Sequence, residues 1–243
     1  MDGDINEFKK RLRAAERVAV LTGAGISAES GIPTFRGDEG LWKNHRAMEL
    51  ATPEAFARDP ELVWEFYKWR REVIGKAGYN RAHKALVEME NRIPQFALIT
   101  QNVDGLHSLA GSGNVLEIHG NIWKSRCTGC GLITLNYDED MGRIPRCSEC
   151  GEILRPDVVW FGESLDPSIL SKAMDVCRKC EIMMVIGTSS IVQPASSLAF
   201  MAKEANAVVA EINIERTAQS DTMDFVLTGK SGEIVPDLLE GWE

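Results

Sequence analysis

The apolar run from Arg17 through Val18-Ala19-Val20-Leu21 passes directly into Thr22-Gly23-Ala24-Gly25-Ile26-Ser27, and this junction constrains the fold more than any other stretch. A short apolar run closed by glycines reads as a buried strand ending in a tight turn. Gly23, Ala24 and Gly25 carry almost no side chain, so a phosphate can approach their amides closely. Ser27, Glu29 and Ser30 follow at the expected start of a short helix, which Pro33 is expected to halt. Phe35 and Arg36 then add an aromatic face and a permanent cation. Such a loop suits a dinucleotide. It is not GxGxxG, however, and by itself it is equally a plain turn after a strand.

The pattern recurs along the chain. Apolar runs at Phe96–Thr100, Val115–Ile118, Val158–Phe161, Glu181–Ile186, Ala207–Ile212 and Phe225–Leu227 alternate with helical stretches. Those helices are expected over residues 5–15, 53–90, 167–180, from about Pro194 and at the C-terminus. Strands alternating with helices imply a parallel α/β sheet. Polar groups collect just after the strands, at 22–36, 101–104, 119, 187–189 and 213–215, and should converge on one cleft at the carboxyl edge.

Residues 121–156 differ, with turn residues, few apolar runs and four of the six cysteines. Cys127-x-x-Cys130 and Cys147-x-x-Cys150 lie sixteen residues apart, the spacing of a four-thiolate zinc ribbon. Four thiolates close the tetrahedron, so one structural Zn²⁺ is expected. Cys177 and Cys180 form a third pair at the end of an amphipathic helix and read as ordinary buried cysteines. The expected class is therefore α/β: a Rossmann-like parallel sheet with a small inserted zinc-ribbon and helical module.

Composition narrows the setting. The chain has 243 residues, 44% of them apolar, and a net charge of −9. That charge argues against direct nucleic-acid binding; it either favours basic protein segments or only keeps the chain in solution. No run approaches the roughly 18 apolar residues of a membrane span. The opening Met1-Asp2-Gly3-Asp4-Ile5-Asn6 lacks a signal-peptide core, so a soluble cytoplasmic protein is expected.

His119, followed by Gly120, would be read alone as a structural histidine. Gln101, Asn102 and Asp104 at the end of a neighbouring strand alter that weighing. A neutral imidazole accepts a proton near neutral pH, and the amide and carboxylate suit ribose hydroxyls, a carboxamide or a water. Glu215, after the strand that ends at Asn213, is the expected acidic ribose partner.

These segments, in this order, resemble the sirtuins, NAD-dependent protein-lysine deacylases. The resemblance runs from about residue 17 to about residue 232. It is carried by Gly-Ala-Gly-Ile-Ser at 23–27, Gly-Ile-Pro-Thr-Phe-Arg at 31–36, Thr-Gln-Asn-Val-Asp at 100–104 and His119-Gly120. The four cysteines, Val-Val-Trp-Phe-Gly-Glu at 158–163, Gly-Thr-Ser at 187–189 and Asn-x-Glu at 213–215 complete it. It implies one catalytic unit over 1–243, its large part about 1–36, 91–120 and 157–243, its small module about 37–90 and 121–156.

The resemblance also implies roles. Gly23, Ala24, Gly25, Ser27, Gly187, Thr188, Ser189, Asn213, Ile214, Glu215 and Ser231 would hold the phosphates and adenosine of NAD. Ser27, Ile32, Asn102, Val103 and Asp104 would line the nicotinamide pocket. Phe35 would shield the anomeric carbon, with Arg36 and Gln101 orienting the ribose. Val158, Val159, Trp160 and Phe161 would pair through their backbone with an extended acyl-lysine peptide. His119, with Asn102 and Asp104, would carry the catalysis: as nicotinamide leaves, the acyl oxygen takes the anomeric carbon, and His119 draws a proton from a ribose hydroxyl. NAD is consumed, giving nicotinamide, O-acyl-ADP-ribose and free lysine.

Tyr67 and Arg70 stand at i and i+3 on an expected helix. Spacing alone is met by a surface arginine beside a half-buried tyrosine. The Tyr-x-x-Arg pattern is similar to that of class III sirtuins, where it grips the carboxylate of succinyl, malonyl or glutaryl lysine, and Ala47 matches a small residue that leaves room for it. A mainly deacetylating enzyme, a mono-ADP-ribosyltransferase and a non-enzymatic NAD-sensing zinc module are the alternatives.

Overall fold

The computed structural model describes residues 5–33, 41–42, 45–136 and 142–242. The N-terminal part runs α1 (Ile5–Ala14), β1 (Arg17–Thr22), α2 (Ala24–Ala28), β2 (Leu41–Trp42), β3 (His45–Arg46), α3 (Ala47–Leu50), α4 (Pro53–Arg58), α5 (Pro60–Lys76) and α6 (Arg81–Arg92). Then come β4 (Gln95–Thr100), α7 (Leu106–Ala110), β5 (Val115–Glu117), β6 (Gly120–Cys127), β7 (Ile133–Leu135) and β8 (Leu154–Val158). The chain closes with α8 (Pro167–Lys179), β9 (Ile182–Ile186), α9 (Ser197–Glu204), β10 (Val208–Asn213), β11 (Phe225–Thr228) and α10 (Ser231–Asp237).

Six strands form a sheet in the order β11-β10-β9-β1-β4-β5, each neighbouring pair parallel. Alternate residues of the central strands bury on opposite faces, as a period of two requires. Val18, Val20, Met184 and Ile212 pack with Phe8 and Leu12 of α1, Leu86 and Met89 of α6 and Val235 of α10. Ala19, Leu21, Met183 and Val185 pack with Ala173 and Cys177 of α8 and Leu198 and Ala202 of α9. With both faces covered, the strands need near-continuous apolar sequence, and β1 and β9 have it.

A second sheet, β7-β6-β8, is antiparallel and carries the paired cysteines. It shares one apolar cluster with the helical stretch, in which Trp64, Phe66 and Tyr67 meet Ile122, Cys127, Leu154 and Trp160. The stretch expected to be helical over 53–90 is three helices. Pro53 and Pro60 open two of them, with Thr52 and Asp59 accepting from Ala55 N–H and Leu62 N–H; Asn80 caps the third.

Two local expectations are corrected. Val158–Phe161 is not a strand of the parallel sheet: only Val158 lies in a strand, at the end of β8 in the antiparallel sheet. Val159 N–H instead donates to His119 O at 2.9 Å, Phe161 N–H donates to Ala51 O at 2.9 Å, and Trp160 O accepts from Glu163 N–H at 3.0 Å, which turns the chain. The helix after the glycine turn starts at Ala24, so Ser27 lies inside it. It stops at Ala28, where the turn into left-handed Gly31 (φ +84°) ends it ahead of Pro33.

Candidate active site

The strand order reverses between β1 and β9, and the segments leaving these two strands cross closely. Gly23 N–H donates to Ile186 O at 3.0 Å and Gly25 N–H to Gly187 O at 2.7 Å. A Cβ on Gly25 would sit 2.7 Å from Gly187 Cα, and one on Gly187 (φ +61°) would sit 2.4 Å from Ile26 N. The glycines of this turn are therefore required by the close approach of two backbones, and the Gly23 and Gly25 amides expected to face a phosphate already have protein acceptors.

Four strand ends are tied together around this crossing. Asn102 Nδ2 donates to Gly23 O at 3.0 Å and to Ser27 Oγ at 3.1 Å. Ser27 Oγ donates to Asp104 Oδ2 at 2.7 Å, and Leu106 N–H donates to Asp104 Oδ1 at 2.9 Å. Gln101 Nε2 donates to Thr188 Oγ1 at 3.0 Å, and Asn213 Nδ2 to Thr188 O at 2.9 Å. Asp104 is buried; that burial pushes its carboxyl up, against the opposing pull of the Leu106 amide, the Ser27 hydroxyl and the Arg70 guanidinium.

His119 Nδ1 lies 3.0 Å from Gln101 O. A carbonyl only accepts, so Nδ1 carries the proton and Nε2 is left with its lone pair. Burial lowers the imidazole pKa and the Gln101 bond opposes this only in part, so the ring is neutral near pH 7.

Tyr67 and Arg70 are both buried on α5, at 5% and 9% exposure, rather than the half-buried tyrosine and surface arginine that spacing alone allowed. Trp160 Nε1 donates to the Tyr67 hydroxyl at 2.9 Å. Trp160 is itself held: the Arg155 guanidinium lies 3.5 Å from its ring centroid, and Arg155 is paired with Glu163 at 2.5 Å. Burial raises Tyr67 to about 12, and burial lowers the Arg70 guanidinium, with the charges of Tyr67 and Asp104 opposing. Ala47 opens α3 and packs in the same apolar cluster as Tyr67 and Trp160.

The remaining expected residues differ in exposure. Ile32 is buried in that cluster, Val103 is half-buried beside it, and Phe161 is exposed. Ala24 and Ser189 are half-buried, whereas Ile214 and Glu215 are exposed beyond β10. Ser231 is buried and its hydroxyl donates to Glu29 Oε1 at 2.6 Å, so its polar atom is engaged within the protein. Phe35 and Arg36 lie outside the described residues.

The Sγ atoms of Cys127, Cys130, Cys147 and Cys150 lie within 4.8 Å of one another. Tetrahedral Zn–S bonds of about 2.3 Å need S···S near 3.8 Å. Cys127–Cys150 at 3.3 Å and Cys130–Cys147 at 3.6 Å are close to that, and Gly129 and Cys130 N–H donate to Cys127 Sγ as in thiolate knuckles. The donor set fits one structural Zn²⁺ with no position left for water. Cys177 and Cys180 are buried free thiols, pushed up by burial to about 12 and about 11, and so are inert at neutral pH.

Sequence reasoning missed the support behind the loop. Thr22 Oγ1 donates to Thr100 Oγ1 at 2.8 Å and lies 2.9 Å from His107 Nε2, while Thr100 Oγ1 also accepts from Asn102 N–H. His107 rests against His83, ring centroids 4.8 Å apart. A threonine closing both β1 and β4 was the available signal, because parallel neighbours in register bring those hydroxyls together.

A doubly wound parallel sheet with polar groups gathered at its reversal point defines a nucleotide-binding α/β protein, here joined to a four-thiolate ribbon. The model of the Sir2 family matches residues 23–194. The "NAD-dependent protein deacylase" of Pyrococcus furiosus is 50% identical over 242 residues, covering 97% of each chain. That of Aquifex aeolicus is 56% identical over 209 residues, covering 86% of this chain and 87% of its own. A crystal structure of a Sir2 homolog–NAD complex superposes with a TM-score of 0.92 at 44% identity, covering 97% of this chain and 92% of that one. The chain belongs to the Sir2 family, the sirtuins.

Proposed function

We propose that this sirtuin removes acyl groups from protein lysines at the expense of NAD, and that its acyl pocket prefers chains ending in a carboxylate. The first part rests on family membership and on relatives named for that activity. The second rests on one observation: a buried guanidinium beside a buried phenol whose oxygen already accepts from Trp160.

That acceptance leaves the Tyr67 proton for an acceptor on the substrate. Arg70 offers a fork of donors that a carboxylate matches in two bonds, and the dry surroundings strengthen both. An acetyl group offers neither partner. Arg70 and Asp104 feel one another's charge, which supports an acyl end lying near the Asn102–Asp104 loop.

Bound NAD supplies the electrophilic sugar carbon and the nicotinamide leaving group. In this reading His119 Nε2 takes the proton of a ribose hydroxyl, and Gln101 O fixes the ring through Nδ1. Asn102 and Asp104, braced by Ser27, line the nicotinamide side. Gly187, Ser189, Asn213 and Glu215 serve the phosphate and adenosine side, and the peptide lies along the segment Val158–Phe161, where Phe161 is exposed. Cys127, Cys130, Cys147 and Cys150 hold the zinc and take no part in the chemistry.

One peptide carrying acetyl, malonyl, succinyl or glutaryl lysine, assayed in steady state, tests the preference. A higher kcat/KM on the three acidic acyl groups is expected; faster turnover of acetyl lysine makes the chain a deacetylase first. Label from NAD retained on the protein substrate would instead mark ADP-ribosyl transfer.

A further inference from the structure

The loop Gln101–Asp104 is braced from two sides, and the second brace comes from the zinc ribbon. Ile122 N–H donates to Val103 O at 2.8 Å, and Trp123 Nε1 donates to Asp104 O at 2.8 Å. Both residues lie on β6, the strand that ends in the zinc ligand Cys127. The indole also lies against the loop: Gly105 is left-handed (φ +77°), and a Cβ there would sit 3.1 Å from Trp123 Cδ1. Behind the ring, Arg71 stands 5.9 Å from the Trp123 centroid, and its Nε donates to Ile122 O at 2.7 Å. Arg71 adjoins Arg70 on α5, so one cluster touches the ribbon, the acyl-pocket helix and the loop.

We infer that Trp123 is a positioning residue for the Asn102–Asp104 loop, through which the zinc ribbon sets the geometry of the nicotinamide pocket. This deepens the proposed function and rests on its assignment of Asp104 to that pocket. The argument is one of leverage. The Asp104 carboxylate is held at both oxygens, by Ser27 and by the Leu106 amide, and it can keep those bonds only while its own backbone stays in place. The indole N–H grips that backbone at the carbonyl of the same residue. The grip needs an N–H and not merely a ring, which separates positioning from packing.

Trp123→Phe keeps an aromatic ring against Gly105 and removes the donor. Benzothienylalanine placed at position 123 alone keeps the full indole shape and also lacks the N–H, which guards against a folding loss in the phenylalanine variant. With one zinc retained per chain, both proteins are expected to show roughly fivefold to tenfold weaker inhibition by nicotinamide, the scale of one lost buried hydrogen bond. kcat should fall while the KM of the acyl peptide stays within about twofold. Hydrogen exchange at the Leu106 amide should quicken in the absence of any ligand. Unchanged nicotinamide inhibition and unchanged Leu106 exchange in the benzothienylalanine protein would overturn the inference. Asp104→Asn separates the two levels: if it leaves nicotinamide inhibition untouched, the assignment of Asp104 to the pocket fails, and the inference fails with it. If Asp104→Asn weakens inhibition and the Trp123 replacements do not, only the role of Trp123 is lost.

Discussion

The indole N–H of Trp160 donates to the hydroxyl oxygen of Tyr67 at 2.9 Å, and so fixes which way the phenol can give its own proton. Arg70 lies one turn further along the same helix. Replacing Arg70 by Met should therefore cut kcat/KM on succinyl lysine by about 10²-fold or more, the scale of an unpaired buried carboxylate. Turnover of acetyl lysine should change far less. Tyr67→Phe should act in the same direction but more weakly, because one neutral donor is lost. Parallel progress curves on the two peptides check this, and equal losses on both would remove the pair from acyl selection.

His119 governs the pH response. Burial holds its imidazole below 6.5, so the neutral base predominates at pH 7 and is lost as pH falls through that lowered value. The acid limb of kcat/KM should accordingly lie below pH 6.5, with a plateau above it. His119→Ala should lower turnover by about 10²- to 10⁴-fold and leave zinc content and melting behaviour intact. A rate profile from pH 5 to 8 on both proteins tests the assignment.

His83 sets an acid limit on stability rather than on rate. It is fully buried, and burial lowers its pKa from 6.5 to about 4. Between these values the unfolded chain binds the extra proton, so stability is complete above pH 6.5 and declines as pH falls toward 4. The loss should reach on the order of 3 kcal/mol. Urea unfolding at pH 7 and pH 4.5 should show this decline in the native chain and a shallower one in His83→Gln. Equal slopes would mean that other groups carry the acid response.

Gly187→Ala tests the crossing of the two backbones. Its Cβ would stand 2.4 Å from Ile26 N on a residue with φ +61°. A loss of about 1–3 kcal/mol in denaturant is expected, together with a raised KM for NAD because the switch-point loops must part. A variant with native stability and native NAD dependence would show that the loops separate without cost.

Much was legible in local pattern. The alternating apolar runs determined a parallel sheet covered on both faces, since only a strand buried on both sides tolerates sequence such as Ile-Met-Met-Val-Ile at 182–186. The two Cys-x-x-Cys pairs determined the four-thiolate cluster, because each pair brings its own turn. Those readings depend on neighbours in the chain. Contacts between distant segments were not legible. The two sides of the glycine crossing are more than 160 residues apart, and from one side alone Gly23 and Gly25 look like a phosphate cradle. Val158–Phe161 is apolar enough for a strand, yet the Ala51 and His119 carbonyls take its amides. Periodicity left Arg70 at the surface; in the fold it is buried, on the same helix as Tyr67, which Trp160 meets from beyond β8. Short-range sequence can specify which faces are apolar and where turns fall. Which carbonyl meets which donor across the fold follows only from how the helical insert and the ribbon pack against the sheet.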